Sequence, residues 1–167
     1  MTGTADDLFA PPDAAWQRVS PALARMRRTL LAVAVGVVLV VALVVTLVLS
    51  LPLLWFGILA VVLAALAGFA WAMVGRNARR WGYAELDEEL YITRGAWFRR
   101  LVVVPYGRMQ YVDVQAGPVD RAYGLARVHL HTAAPGTTAH IPGLTAREAA
   151  RLRDRLTALG EAQAAGL

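Results

Sequence analysis

From Leu30 to Val74 the chain is apolar almost without a break, and after Gly82 it changes to short stretches in which apolar and polar residues alternate. Residues 29–75 hold no Asp, Glu, Lys or Arg. As a single helix such a block would be about 70 Å long, whereas a bilayer core is crossed by roughly 20 apolar residues. It divides at Ser50-Leu51-Pro52, because proline donates no backbone hydrogen bond and disfavours helix at the residue before it. The pattern predicts a helical hairpin over residues 30–75, with spans at 30–49 and 53–74. The β-branched richness of the first span is compatible with helix, since lipid accepts only helices or closed barrels. Neither span shows the polar face of a soluble core helix, and the run is too long and too late for a signal peptide.

Beyond the block the period drops to two. Tyr83 to Asp87, Glu89 to Thr93, Trp97 to Val104, Met109 to Val114, Leu125 to Thr132 and Thr137 to Ile141 read as strands. Arg94-Gly95, Pro105, Gly117-Pro118 and Pro135-Gly136 punctuate them. The period then lengthens again: Ala149, Leu152, Leu156 and Leu159 fall on one helical face. Thr145 and Glu148 stand three apart at its start, the spacing of a capping box. Short antiparallel strands followed by one amphipathic helix predict a small barrel or sandwich capped by that helix.

Composition sharpens this picture. Mean hydropathy is +0.48 and only 17% of residues are charged, against about 25% in a typical soluble domain. The excess sits in the apolar block, and the rest of the chain is ordinary in polarity. Charge at the block's edges sets an orientation. Arg25, Arg27 and Arg28 precede the first span, Arg76, Arg79 and Arg80 follow the second, and the turn between carries no charge. Arginines beside short loops stay on the cytoplasmic side, so both termini are expected there, in a multi-pass protein of the plasma membrane. Most of the net charge of +5 is therefore an orientation signal, and the nearly neutral C-terminal half lacks the concentrated basic surface of a nucleic-acid binder.

The absent residue types exclude much chemistry. There is no Cys and no Lys, all 17 basic residues are Arg, and Ser occurs only at Ser20 and Ser50. Thiolate metal sites, Schiff bases, P-loop lysines and serine triads fall away. Asp113, Asp120, Glu85 and Glu88 offer carboxylates, but no spacing selects an acid–base pair. His129, His131 and His140 are the only imidazoles; a hairpin at Pro135-Gly136 would bring His131 near Ala139 or His140. No nearby carboxylate joins them, and a solvated strand face is the plainer reading. No cofactor is expected, nor enzymatic activity. Arg94, Arg99 and Arg100 flank one turn and could meet anionic headgroups at the cytoplasmic leaflet. In the N-terminal stretch Asp6, Asp7, Pro11, Pro12 and Asp13 argue for disorder, while Trp16, Val19 and Leu23 are expected in the lipid interface.

One segment carries a family resemblance. Val104-Pro105-Tyr106-Gly107-Arg108-Met109-Gln110-Tyr111-Val112-Asp113-Val114 and Gly117-Pro118-Val119-Asp120-Arg121-Ala122-Tyr123-Gly124-Leu125-Ala126 resemble two linked motifs of the YdbS-like bacterial membrane proteins with pleckstrin-homology-like (PH-like) domains. Val19-Ser20-Pro21 ahead of the first span matches as well, and the resemblance covers about residues 16 to 160. It implies a PH-like barrel capped by the C-terminal helix, with no established catalytic residues to carry over. Because Arg108, Gln110 and Arg121 carry the resemblance, they are candidates for a partner surface, although a structural role in the strand link is the simpler expectation.

The expected organisation is an N-terminal cytoplasmic or interfacial segment (1–29), the transmembrane hairpin (30–75), a cytoplasmic PH-like domain (81–160) and a short tail (161–167). The expected role is a membrane-anchored interaction module without enzymatic activity. Its partner would be another membrane PH-like protein or a second copy, and anionic phospholipid recognition is the alternative.

Overall fold

A computed structural model describes residues 14–132 and 139–166. The proposed Pro135-Gly136 turn and the acidic, proline-rich start of the chain lie outside the described residues. Two long helices, α1 (Ala22–Val48) and α2 (Leu53–Arg79), pack side by side as a hairpin, and both are long and apolar enough to cross a membrane. Beyond the base of α1 most of their apolar side chains are exposed, Val48 at 74% and Leu54 at 70% among them. That surface needs a lipid solvent, since exposed apolar area of this extent is unfavourable in water.

The turn between the helices is a Schellman motif. Leu51 N donates to Thr46 O (2.9 Å) and Ser50 N to Leu47 O (3.2 Å), which satisfies two terminal carbonyls of α1. Ser50 takes the left-handed position with φ +50°, a place usually given to glycine. Pro52 then stands as the N-cap of α2.

The rest is a sandwich of two antiparallel sheets. The first has the order β1-β2-β3-β4, from β1 (Gln17–Arg18), β2 (Gly82–Glu85), β3 (Glu89–Arg94) and β4 (Arg100–Pro105). A 3-10 turn (Tyr106–Arg108) leads into the second sheet, β5-β6-β7, from β5 (Met109–Gln115), β6 (Leu125–Thr132) and β7 (Ala139–Thr145). Among the described residues no strand pairing joins the two sheets, so the barrel is not closed. Helix α4 (Ala146–Ala165) packs over β5, β6, β7 and the 3-10 turn and buries Ala149, Leu152 and Leu156 completely. These meet Leu90, Ile92, Val104, Tyr106, Val128, Leu130 and Ile141 in one core.

Several elements differ from the sequence pattern. Val19 and Leu23, expected at the lipid interface, are core residues of the sandwich (7% and 2% exposed), with Met26 one turn further on. The β1–β2 pairing (Gln17 with Tyr83, Arg18 with Gly82) brings them there, and Ser20 N donates to Gly143 O (2.8 Å). Gly143, at φ +72°, leaves room for Leu23; a Cβ at that position would stand 2.8 Å from the leucine side chain. β4 begins at Arg100, so Trp97 and Phe98 lie in the hairpin loop and not in a strand. A short helix, α3 (Pro118–Ala122), occupies the Gly117-Pro118 break. The Asp120 carboxylate accepts from Gly117 N (3.2 Å) and pairs with Arg127 (3.2 Å), so this acid ties the start of α3 to β6, while Arg121 is exposed. Only half of the expected capping box forms. Thr145 Oγ1 accepts from Glu148 N (3.2 Å), but the Glu148 carboxylate is taken by the Tyr83 hydroxyl (2.6 Å) and by Arg151.

Candidate functional site: arginines at the foot of the helices

The last turn of α2 presents Arg76, Arg79 and Arg80, three and four positions apart and therefore clustered at the helix end. β1, antiparallel to β2, carries Arg18 to the same place, where its Nη1 donates to Arg79 O (2.6 Å). The β3–β4 hairpin returns Arg99 from the other side. Together with Trp16, Trp81, Gly82 and Thr93 these five arginines line a cleft of about 450 Å³, and among the described residues no carboxylate lines it. Guanidinium groups from three separate segments thus converge on one cleft, an arrangement suited to phosphate oxygens.

A second cleft of about 510 Å³ shares Arg18 and Arg79 and adds Arg25 and Arg28 from the base of α1, over a floor of Gly75 and Ala78. Arg28 lies across both helices, with Cζ 5.1 Å from the centre of the Trp71 ring. It rests on Gly75, where any Cβ would collide with its guanidinium. Of the arginines read from the flanks as topology signals, Arg25, Arg28, Arg76, Arg79 and Arg80 thus also line these two clefts, and Arg27 on α1 is outside both.

The six residues nominated as a lipid or partner surface separate into groups. Arg94, Arg99 and Arg100 stay together at the hairpin; Arg94 and Arg100 are register partners, and Arg94 Cζ sits 5.9 Å from the Trp81 ring centre. Arg108 and Gln110 lie past the opposite end of β4, and Arg121 is on α3. Trp16, Arg18 and Trp81 were missed as site residues. Their signal was the Trp16-Gln17-Arg18 alternation, two residues of strand that no periodicity can distinguish from a loop.

The other candidate clusters are absorbed by the fold. Register places His129 opposite His140 (ring centres 5.8 Å apart) and Leu130 opposite Ala139, whereas His131 stacks on Tyr111 of β5 at 4.1 Å. The three imidazoles therefore do not converge, and no group of metal-ligating side chains gathers among the described residues. Burial holds the His140 imidazole below its ordinary value, and the neighbouring Arg94 acts in the same direction. Glu85 is clamped by Arg151 and by Arg155 (2.7 Å), and Asp113 accepts from Gln115 (2.7 Å). The Arg151 hydrogen bond keeps Glu148 below the usual carboxylate range, while burial first and the Glu148 carboxylate second raise the Tyr83 phenol. This network latches α4 and β2 together.

The sequence profile of the bacterial PH domain matches residues 23–159, which takes in both long helices, β2 to β7 and most of α4. The chain belongs to the bacterial PH domain family. Among curated proteins it is similar to the transmembrane protein YdbS of Bacillus subtilis (strain 168), with 40% identity over 79 residues. That alignment covers 47% of this chain and 48% of the relative, so the match spans about half the length of each. No solved structure matches. A YdbS-like bacterial PH domain joined to two membrane-crossing helices makes this a membrane protein, and the family is not one of known enzymes.

Proposed function

We propose that this bacterial PH domain is an anchored reader of anionic phospholipid at the cytoplasmic face of the plasma membrane, with both termini on that side. The observation that carries the reading is the convergence of Arg18, Arg76, Arg79, Arg80 and Arg99 on one cleft at the foot of α2. Arginines near an anionic leaflet gain about 1 kcal/mol each, so the helical anchor supplies proximity and the cleft supplies selectivity. The test uses the full chain, because residues 81–167 alone would lack β1, Val19 and Leu23. Detergent-solubilised protein is expected to gain more thermal stability from added phosphatidylglycerol than from phosphatidylcholine, and an Arg18→Gln/Arg80→Gln variant is expected to lose the difference. Equal shifts with both lipids would sink the proposal.

Protein–protein assembly is a second reading, and a different part of the molecule favours it. β5 is an edge strand, with Gln110 and Tyr111 exposed beside a groove of about 390 Å³ bordered by Leu156, Thr157, Gly160 and Glu161 of α4. An edge left without a strand partner among the described residues can accept an extended segment of another membrane PH-like protein or of a second copy. A photo-crosslinking residue at Gln110 in the native membrane is expected to capture that partner, whereas the same residue at Val119 is not.

A further inference from the structure

The hairpin loop between β3 and β4 is an apolar tip in a cationic frame. Trp97 is 70% and Phe98 90% exposed, the latter the most exposed large apolar residue of the sandwich. The chain reverses at Gly95 with φ +102°, where a Cβ would strike the backbone carbonyl of Phe98, so the tip is tightly folded. Arg94, Arg99 and Arg100 flank it, and no acidic residue lies between Glu89 and Asp113. Two bulky aromatics are thus held outward by a tight turn, with most of their surface outside the protein core.

Their position relates them to the bilayer. Trp97 Nε1 donates to Met73 Sδ (2.8 Å), and Met73, Val74 and Asn77 of α2 share a shallow cavity with Gly95, Ala96, Trp97 and Phe98. Met73 lies in the last apolar turn of α2, two residues past Trp71 and three before Arg76. From Leu53 to Val74 the apolar run is about 33 Å long, the thickness of one hydrocarbon core, so Met73 sits where that core meets the headgroups. A tip that touches Met73 is at the same depth. Indole rings prefer this level, and arginines a few ångströms further out meet phosphates.

We infer that Trp97 and Phe98 form a wedge seated in the headgroup–acyl boundary of the bilayer that α1 and α2 cross, a third point of membrane attachment for the domain. The partner is the lipid itself. The wedge rests on the spanning helices and not on the anionic-headgroup reading, because its two aromatics carry no charge to satisfy.

The chain has no cysteine, so a single spin label can be placed at Phe98→Cys, with Val119→Cys on α3 (41% exposed) as the comparison. Full-length protein is reconstituted in phosphatidylcholine nanodiscs and in nanodiscs containing phosphatidylglycerol, and collision with oxygen is compared with collision with a water-soluble nickel chelate. In both lipids the label at 98 is expected to favour oxygen severalfold more than the label at 119. Equal nickel access at 98 and 119 overturns the wedge. Insertion only with phosphatidylglycerol overturns it as a lipid anchor in its own right and assigns the contact to the arginines. A label shielded from both reagents indicates a protein cover and also overturns it. As a readout free of any label, tryptic cleavage after Arg99 and Arg100 should be slow in nanodiscs and faster in Trp97→Ser/Phe98→Ser.

Discussion

Leu23 and Leu47 belong to the same helix, yet one is 2% exposed and the other 61%. The base of α1, through Met26, is packed into the sandwich core, where side chains interlock with β-sheet residues and Gly143 gives way to admit Leu23. The remainder of α1, and nearly all of α2, presents the same residue types to lipid. Within the sandwich each apolar side chain has a particular neighbour and its removal leaves a cavity. In the hairpin the solvent is itself apolar and closes over whatever is removed. One helix therefore shows two kinds of apolar stability, one dependent on shape and one on length and composition.

The sharpest way to break that contrast is to make one substitution at both ends of α1. Leu23→Ala should destabilise the domain by about 2–5 kcal/mol. Leu47→Ala should change stability by less than about 0.5 kcal/mol, as at an exposed site. Denaturation in detergent followed by tryptophan fluorescence reads both, and equal losses would mean that Leu23 is not part of the sandwich core. Next in size is Asp120→Ala, which orphans Gly117 N and leaves Arg127 without its partner. It should cost about 1–3 kcal/mol and speed proteolysis between β5 and β6 while leaving the hairpin intact.

Acid should separate the two regions as well. No Asp, Glu, Lys, Arg or His lies between Arg28 and Arg76, so the hairpin does not titrate. In the sandwich both His140 and Glu148 are held below their ordinary values of 6.5 and 4.5. A group whose value is depressed by folding contributes stability above its unfolded value and loses it as pH falls. The domain's melting temperature should therefore begin to fall just below pH 6.5 through His140 and steepen below pH 4.5 through Glu148. His140→Gln should remove the first part of the fall and keep the second; an unchanged profile would show that His140 does not carry it. A small effect, of opposite sign, belongs to the turn. Ser50→Gly relieves the left-handed backbone at φ +50° and should stabilise the hairpin by about 0.5–1 kcal/mol, measured as a modest rise in melting temperature.

Legibility in the sequence follows the same division. The hairpin was readable because lipid imposes one requirement on every residue, so absence of charge from 29 to 75 and a proline at 52 locate it. Most strands were readable from alternation, and Thr145 announced α4. Three things were hidden. β1 is two residues long and has no period; it exists because β2 offers an edge, a fact held 64 positions away. Trp97 and Phe98 continue the alternation of β4 in sequence but are turned out by Gly95. The arginine cleft is assembled from Arg18, the end of α2 and Arg99, three segments whose meeting depends on topology and not on spacing. Glu148 illustrates the limit in one side chain: the capping spacing was right, and a tyrosine on β2 claimed the carboxylate.

Between Arg79, the last residue of α2, and Gly82, the first of β2, only Arg80 and Trp81 intervene, and β1 leads into α1 through Val19-Ser20-Pro21. Both legs of the hairpin are thus joined to neighbouring strands of one sheet, with no slack in either joint. The domain cannot tumble as a body on a tether would; of its three rotations, only spin about the membrane normal stays free. Any binding partner embedded in the same bilayer approaches with its tilt already settled, and the angular search that slows most encounters is reduced to a single turn in the plane.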